Sequence, residues 1–340
     1  MSKVYFKKIK SLDNVDLINN ESYKMLERII NDEGLKLESV TPLKVHFGEP
    51  GNVTYIKPKY FEGIRRYLKD NNISSCYIET NVLYKGERTF EDSHKKVAQN
   101  HDFTDLDVVI ADGDIDNPYN EVEINKEFFK TCKIGKKFSD YNNYIVVAHF
   151  KGHGLAGFGG AIKQLGMGFA ARGGKLEQHS DTVPVISQNK CVSCGVCVKK
   201  CPVDAITIDK KASIIKEKCI GCASCTIVCP VHAITNTWDG ANFHEKLAEY
   251  AYAAALNKTN IYINYVFNVT SDCDCVGNEM PIVAPDIGLF VSTDPVAVDK
   301  ASLDKLQDCG FHKLFDKGKK NLEHAQKIGL GSLDYELIEM

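Results

Sequence analysis

Apolar residues recur along this chain in two patterns, and their alternation predicts strands separated by helices. Continuous apolar runs, such as residues 144–149 and 261–267, are typical of buried strands in a parallel sheet. In stretches such as residues 243–256, apolar positions return every three or four residues, which predicts a helix with one buried face. The fold class expected from this alternation is α/β, with helices on the faces of a mostly parallel sheet. The predicted strands are 1–8, 43–47, 76–79, 106–111, 144–149, 261–267 and 288–291, and the predicted helices are 59–71, 89–99, 243–256, 296–306 and 321–328.

A different pattern interrupts this alternation near the middle of the chain. We therefore expect a discontinuous core. Residues 1–187 form its first part and residues 238–340 its second part, and the two parts meet around a predicted insert of residues 188–237.

Two runs of cysteine define the insert. Residues 191–202 read CVSCGVCVKKCP and residues 219–230 read CIGCASCTIVCP, so that each is C-x2-C-x2-C-x3-C-P. The likeness continues in PVDAIT and PVHAIT, which makes the segment an internal repeat. The repeat resembles the bacterial ferredoxin that holds two [4Fe–4S] clusters, which implies a small α+β ferredoxin-like domain.

In that arrangement three cysteines of one run and the last cysteine of the other hold each cluster. One expected set is Cys191, Cys194, Cys197 and Cys229, and the other is Cys219, Cys222, Cys225 and Cys201. The alternative is a pair of structural zinc sites, which need only four ligands in paired C-x2-C units. Zinc gives no reason for the third cysteine of each run or for the Cys-Pro endings.

Composition limits where such a protein works and what it binds. The chain has 340 residues, 13 cysteines and a formal net charge of −3, so that neither nucleic acid nor a membrane is expected as a partner. Neither a signal-peptide core nor a run of about 18 apolar residues is visible. We expect a cytoplasmic protein in which the cysteines serve metal or redox chemistry, with iron–sulfur clusters suited to anaerobic conditions.

A glycine-rich segment follows the strand predicted at 144–149. Gly152, Gly154 and Gly157 have the order G-x-G-x-x-G, which in a dinucleotide-binding fold also requires a second strand ending in an acidic residue. Residues 172–179 are polar and broken by glycines where that strand would lie, which disfavours a dinucleotide site.

The same segment resembles the active-site segment of the nickel-pincer lactate racemases. The matching residues are Ala156-Gly157-Phe158-Gly159-Gly160-Ala161-Ile162-Lys163, followed by Gly168 and His179, with His153 upstream. The resemblance implies that Lys163 carries a tethered cofactor, that His179 binds a metal, and that His153 is catalytic. His101, in Asn100-His101-Asp102, matches the second catalytic histidine less closely. The glycines expected to bind the cofactor are Gly157, Gly159 and Gly160.

These residue types suit a functional pocket on chemical grounds as well. Glycines let a backbone approach a ligand closely, a lysine can act as nucleophile or hold an anion, and histidines move protons near neutral pH. The alternative is that the glycines serve close packing and the histidines are ordinary polar residues.

Cys273 and Cys275 form a third candidate site, because they follow the strand predicted at 261–267. Ligands bind beyond the carboxyl ends of parallel strands, and two thiols one residue apart suit a soft metal or a redox pair. A disulfide between them would be strained, and the cytoplasm disfavours it. The alternative is two ordinary cysteines in a turn.

The wider sequence resembles the domain-of-unknown-function family 362. The likeness rests on KGHGLAGFGGAIK before the cysteine runs and on PDIG and STDPVAVD after them. That family name implies little about function.

The leading hypothesis is an iron–sulfur oxidoreductase. Two [4Fe–4S] clusters would pass electrons between a redox partner protein, or a small electron carrier, and a pocket formed by Lys163 and the histidines. The sequence does not identify the small-molecule substrate. The hypothesis also allows an additional metal or a Lys163-tethered cofactor in the pocket. The alternatives are a ferredoxin-type electron carrier or binding protein without catalysis, and an isomerase of the racemase type with structural clusters.

Overall fold

A mixed, mostly parallel sheet of eight strands runs through the protein. The computed structural model describes residues 1–114, 118–179, 183–219, 221–236, 240–311 and 313–340. Within those residues the strands are β1 (Ser2–Lys8), β2 (Leu43–Lys44), β3 (Tyr77–Glu79), β4 (Val108–Ile110), β5 (Tyr119–Glu123), β6 (Thr131–Gly135), β7 (Asn143–His149), β8 (Lys151–His153), β9 (Gly157–Gly159), β10 (Val185–Ile186), β11 (Ile206–Ile208), β12 (Ala212–Ile214), β13 (Ile234–Thr235), β14 (Thr259–Val266), β15 (Gly288–Ser292) and β16 (Tyr335–Glu339). The α-helices of the same residues are α1 (Val15–Glu33), α2 (Glu62–Asp70), α3 (Glu91–Asn100), α4 (Ala161–Gly166), α5 (Arg172–His179), α6 (Val196–Lys199), α7 (Ser224–Val228), α8 (Phe243–Ala255), α9 (Pro295–Asp308) and α10 (Lys319–Lys327).

The strand order is β16-β1-β15-β14-β7-β2-β3-β4. Strand β15 is antiparallel to both of its neighbours, and every other pair is parallel. The α/β fold class with a mostly parallel sheet is therefore confirmed.

Helices cover both faces of the sheet, which explains why its central strands are apolar throughout. All seven residues of β7 are buried, as are seven of the eight residues of β14. Helices α1 and α2 pack on one face, and helices α4, α8, α9 and α10 pack on the other. Each central strand consequently excludes water on both sides.

The structure agrees with most of the predicted elements and adds several. Helix α1 was not predicted, although its two ends carry typical helix signals. Asn14 caps its first turn, and Gly34, at φ 61°, ends it in the left-handed region. Strand β2 is shorter than expected, because after Lys44 the chain turns and His46 Nδ1 accepts a hydrogen bond from the Gly48 amide at 3.0 Å. Residues 172–179, read from sequence as polar and irregular, form helix α5.

The cysteine-rich segment folds around a small apolar core of its own. Strands β10 and β13 pair at the two ends of the segment, so the chain enters and leaves it side by side. Strand β10 lies before the boundary predicted at residue 188. The second predicted boundary, between residues 237 and 238, lies outside the described residues.

No helix in the described part of the chain is both long enough and apolar enough to cross a membrane.

Candidate functional site

A pocket of about 400 Å³ opens at the carboxyl ends of strands β2, β3 and β7. His46 follows β2, Thr80 follows β3 and His153 ends the hairpin strand after β7, and all three line the pocket. The three sheet strands are parallel, so their carboxyl ends share one edge of the sheet. That edge is where α/β proteins bind ligands.

The glycine-rich segment forms a β-hairpin, in which β8 pairs with β9, followed by helix α4. This hairpin differs from the strand-loop-helix of a dinucleotide site, and helix α5 occupies the place of the second strand that such a site requires.

The prediction that Gly157, Gly159 and Gly160 bind a cofactor is not supported by their positions. A Cβ at Gly157 would collide with the Gly318 backbone, and a Cβ at Gly160 would collide with the Asp299 carboxylate. A Cβ at Gly159 would lie 3.2 Å from Lys151 Nζ. These three glycines serve close packing within the protein, and the glycines that line the pocket are Gly154 and Gly168.

Three of the predicted side chains, Lys163, His153 and His179, do line the same pocket. His153 Nδ1 accepts a hydrogen bond from the Ala156 amide at 3.0 Å, so the proton of a neutral His153 lies on Nε2. His179, which ends α5 and stacks on Phe243, is half-buried. Desolvation, together with the charges of His153 and Lys163, lowers the pKa of His179 to about 3. His179 is therefore neutral at physiological pH and can accept a hydrogen bond or bind a metal.

His101 lies elsewhere. Its ring stacks on Tyr55, with ring centroids 4.7 Å apart, and its Nδ1 is 2.7 Å from the Phe47 carbonyl oxygen. The residue follows α3 and is absent from the pocket lining, so the structure does not join it to Lys163.

Cys273 and Cys275 lie in the turn after β14, and Cys275 lines the pocket. Lys163 Nζ is 3.8 Å from Cys273 Sγ. A hydrogen bond from Cys275 lowers the pKa of Cys273, and the ammonium groups of Lys163 and Lys151 lower it further against the opposing effect of burial. The same hydrogen bond and burial raise the pKa of Cys275. The pair therefore shares one proton, with the thiolate on Cys273.

The intervening residue, Asp274, points away from the two thiols and anchors the turn. Its carboxylate lies 2.9 Å from His149 Nδ1 and 3.3 Å from Lys151 Nζ, and all three groups are buried. Burial raises the pKa of Asp274, but His149 and Lys151 outweigh that effect and hold it well below its usual range.

Several charged residues of the pocket were missed by the sequence analysis. The Lys44–Glu79 ion pair, at 2.9 Å, is buried at the ends of β2 and β3. The ammonium of Lys175 donates hydrogen bonds to Thr80 Oγ1 at 2.5 Å and to the Ala170 carbonyl at 2.6 Å. Burial lowers the pKa of Lys175 to about 8. The sequence signal that could have revealed the ion pair is Lys44 between Leu43 and Val45. A lysine within a buried strand needs a partner for its charge.

Arg88 completes the lining on the opposite side. Its guanidinium donates to Glu49 Oε2 at 2.8 Å and to the Tyr84 hydroxyl at 2.6 Å. Because Arg88 is paired with Glu49, the cations left to meet a ligand are Lys163 and Lys175, beside the lining carboxylates Glu79 and Asp272. An anionic group on the ligand would suit the two lysines.

The eight cysteines of the two runs divide into two sets of four, and each set lines one small cavity. The first cavity is lined by Cys191, Cys194, Cys197 and Cys229. The second cavity is lined by Cys201, Cys219, Cys222 and Cys225. In each set the fourth cysteine comes from the other run.

Backbone conformation and hydrogen bonding repeat between the two runs. Ser193 and Gly221, each two residues after the first cysteine of its run, have φ of 58° and 67°. The amide of Ala205 donates to Cys201 Sγ at 3.1 Å, and the amide of Ala233 donates to Cys229 Sγ at 3.2 Å. Amides that point at sulfur favour thiolates, the form in which cysteine binds metal.

Within the described residues, no three His, Cys, Asp or Glu side chains converge closely enough to share a single metal ion. A single zinc ion needs all its thiolates within about 2.3 Å of one centre. An iron–sulfur cubane gives each thiolate its own iron, so its four cysteines stand farther apart. The two cavities, lined by sulfur, fit the second arrangement. The structure shows no third ligand beside Cys273 and Cys275 in the described part.

Helix α5 forms a wall between the pocket and the second cysteine cavity. Lys175 and His179, four residues apart, face the pocket. On another side of the helix, Leu176 packs with Leu83 and Ala223, of which Leu83 lines the pocket and Ala223 lines the second cavity. A Cβ at Gly173 would lie 3.6 Å from the Cys222 Cα.

Comparisons with known proteins found distant structural relatives. The chain is 13% identical to the lactate racemase apoprotein from Thermoanaerobacterium thermosaccharolyticum, with a TM-score of 0.39, over 78% of this chain and 51% of the racemase. It is 10% identical to a protein of known crystal structure from Thermotoga maritima, with a TM-score of 0.43, over 95% of this chain and 61% of that protein. The chain thus spans between half and two thirds of the length of either. No protein of curated function matches it.

A sequence family matches most of the chain. The model of the family described as a domain of unknown function, DUF362, matches residues 42–304, which include the pocket and both cysteine runs. This protein therefore belongs to the domain-of-unknown-function family 362.

Proposed function

We propose that this protein is an iron–sulfur oxidoreductase that acts on a small anionic molecule in the pocket. The observation that carries the proposal is the position of helix α5, which has pocket residues on one side and the second cysteine cavity on another. When bound, the two [4Fe–4S] clusters would supply single electrons.

The cysteines would hold the clusters in the two sets of four described above. The donor set is entirely sulfur, and backbone amides point at Cys201 and Cys229, which suits anionic sulfur ligands. Arg172, buried on α5, interacts electrostatically with Cys222 and favours negative charge in the second cavity. Together these features support residues 188–237 as a ferredoxin-like insert.

The two sets differ in how their cysteines are exposed. Cys194 is the exposed member of the first set, whose other three cysteines are buried, whereas in the second set Cys225 is buried and the other three are partly exposed. A redox partner protein or a small electron carrier would reach the first cavity at Cys194. The second cavity adjoins the wall of the pocket.

The pocket residues would hold and orient the substrate. Lys163 and Lys175 offer donors to a carboxylate or phosphate group. His153, with its neutral-form proton on Nε2, can donate a hydrogen bond to the substrate, and the neutral His179 can accept one.

The first test is purification without oxygen, followed by iron and sulfide analysis. Two cubanes require about eight irons per chain. Turnover is then assayed with a reduced viologen dye as electron donor and a panel of 2-oxo acids as acceptors. We expect Lys175→Met to abolish turnover and Lys216→Met, a change in the cysteine-rich segment away from the pocket, to leave it unaltered. A protein that purifies colourless and without iron contradicts the proposal.

A second candidate is an isomerase of the racemase type. It is favoured by one observation, namely that Lys163, His153 and His179 line a single pocket. This function predicts interconversion of D- and L-2-hydroxy acids with no electron donor present, and an added mass on Lys163 in the intact protein. A protein that only carries electrons would instead exchange them with a partner at an unchanged rate after Lys163→Met.

A further inference from the structure

We infer that Cys273 and Cys275 form a reversible disulfide that stores two electrons beside the pocket. The inference rests on the proposed function, because single electrons arriving from the clusters must be paired before they reduce most organic substrates. It assigns Cys273 and Cys275 to redox chemistry, the second of the two roles that their spacing suggested.

The backbone brings the two sulfurs together. The Val276 amide donates to the Cys273 carbonyl at 2.9 Å, which closes a β-turn over residues 273–276. Two residues separated by one position in a turn have Cα atoms roughly 5–6.5 Å apart, given steps of about 3.8 Å. A disulfide requires about 4.4–6.8 Å between Cα atoms. The carboxylate of Asp274, between them, is held by His149 and Lys151, so it does not separate the two thiols.

The surroundings favour the reduced pair. Lys163 Nζ lies 3.8 Å from Cys273 Sγ, and Lys151 adds a second positive charge nearby. Cationic neighbours stabilise a thiolate, and a stabilised reduced form raises the reduction potential of a disulfide. Such a disulfide accepts electrons readily.

The chemistry balances within the chain. Reduction breaks the S–S bond and consumes two electrons and one proton. The proton goes to Cys275, and the thiolate remains on Cys273 beside Lys163. Oxidation reverses each step and returns two electrons and one proton. The electron donor is a one-electron iron–sulfur centre, used twice.

Access to the pair fits this role. Cys273 is 1% exposed, whereas Cys275 lines the pocket. Cys275 is therefore the sulfur that a substrate or a small thiol reaches, and Cys273 is the partner that closes the disulfide.

The test is a redox titration of the full-length protein purified without oxygen. Samples are equilibrated with mediator dyes at potentials set by an electrode, quenched in acid, denatured and alkylated, and the peptide carrying both cysteines is weighed. We expect a single two-electron transition between an unlabelled and a doubly labelled peptide. Cys273→Ser and Cys275→Ser should each give one label at every potential, and Cys309→Ser, which alters an exposed cysteine, should leave the transition unchanged.

Lys163→Met tests whether the charge of Lys163 sets the reduction potential of the Cys273–Cys275 pair. If Lys163 only packed against the pair, this potential would not change. Removing the ammonium should favour the disulfide about tenfold, a shift of about −30 mV for a two-electron couple. Two labels at every potential, even at the most oxidising one, would overturn the inference. Iron measured on the same sample separates the two proposals, since iron without a disulfide overturns only this inference, and a disulfide without iron overturns only the iron–sulfur function.

Discussion

Gly160 and Asp299 show how a single pair of residues positions the pocket. The Asp299 carboxylate accepts hydrogen bonds from the Ala161 amide at 2.6 Å and the Ile162 amide at 2.9 Å, and it occupies the space that a side chain at residue 160 would fill. This contact fixes the start of α4, the helix that carries Lys163. The glycine therefore acts on the site indirectly, through packing.

The first prediction concerns the pH dependence of stability. Burial raises the pKa of Asp299 from 3.8 to about 6 in the folded protein. The folded state thus holds this proton more tightly than the unfolded chain does. The contribution of this group to the free energy of unfolding therefore falls by up to about 3 kcal/mol as pH rises from about 4 to about 6, and it then stays level. Asp299→Asn has no such proton. The difference in unfolding free energy between natural protein and variant, measured in urea, should shrink by that amount over this range.

Asp304 provides the control for this measurement. It lies on the same helix, α9, and pairs with Lys300 at the surface. Asp304→Asn removes a carboxylate from the same helix without touching the Ala161 and Ile162 amides, so it reports the effect of losing a surface charge alone. Equal pH profiles for the two variants would refute this account of Asp299.

At the scale of elements, helix α5 links the cysteine-rich segment to the pocket. Its sequence, Arg-Gly-Gly-Lys-Leu-Glu-Gln-His, has two adjacent glycines, which lower intrinsic helix propensity by about 1 kcal/mol each. The helix forms because those glycines let neighbours approach closely, as a Cβ at Gly174 would lie 2.7 Å from the Lys133 carbonyl. Tertiary packing thus overrides local propensity here, and sequence patterns could not have identified the wall of the pocket.

The second prediction concerns the packing of α5 against the cysteine-rich segment. A Cβ at Gly173 would lie 3.3 Å from the Gly221 carbonyl oxygen, near the limit of contact. Gly173→Ala should therefore be tolerated, because its helix propensity offsets the crowding. Gly173→Val adds two methyl groups at the same contact and should cost about 1–3 kcal/mol in urea unfolding. It should also lower the protection of Cys222 from alkylation, and indistinguishable Ala and Val variants would disprove the contact.

In the whole molecule, the core is assembled from distant parts of the chain. Strand β1 pairs with β15 and β16, and β7 pairs with β14, so residues from before and after the cysteine-rich segment form one sheet. The segment itself leaves and returns through the paired strands β10 and β13. Residues on both sides of the segment thus contribute to one sheet, and the domain boundaries expected at residues 187/188 and 237/238 stay predictions.

The third prediction uses the crossed sets of cysteines. If each cluster takes its fourth ligand from the other run, Cys201→Ser should lose about half the iron and expose the cysteines of residues 219–225 to alkylation. Cys229→Ser should lose a similar amount and expose those of residues 191–197 instead. Peptide mass spectrometry after brief labelling distinguishes the two variants. Exposure of the variant's own run in each case would show that the sets are not crossed.

Some parts of this protein could be predicted because their determinants are local. The cysteine repeat encodes its loop geometry within a few residues, as the matching φ values of Ser193 and Gly221 show. The buried runs of β7 and β14 predict strands for the same reason. Whether apolar residues alternate or run on continuously can be seen within a few consecutive positions. The grouping of Lys163 with His153 and His179 came from resemblance, and the structure places them on one pocket.

By itself, then, the sequence determined seven strands of the main sheet and helices α2, α3, α8, α9 and α10, the internal repeat of cysteines and the identity of several pocket residues. Only the tertiary structure decided that Glu79, Arg88 and Lys175 belong to that pocket, that His101 and three glycines do not, and that α5 separates it from the second cysteine cavity. The physical reason is that the pocket forms where the carboxyl ends of non-consecutive strands meet, and the contacts that join them span most of the chain.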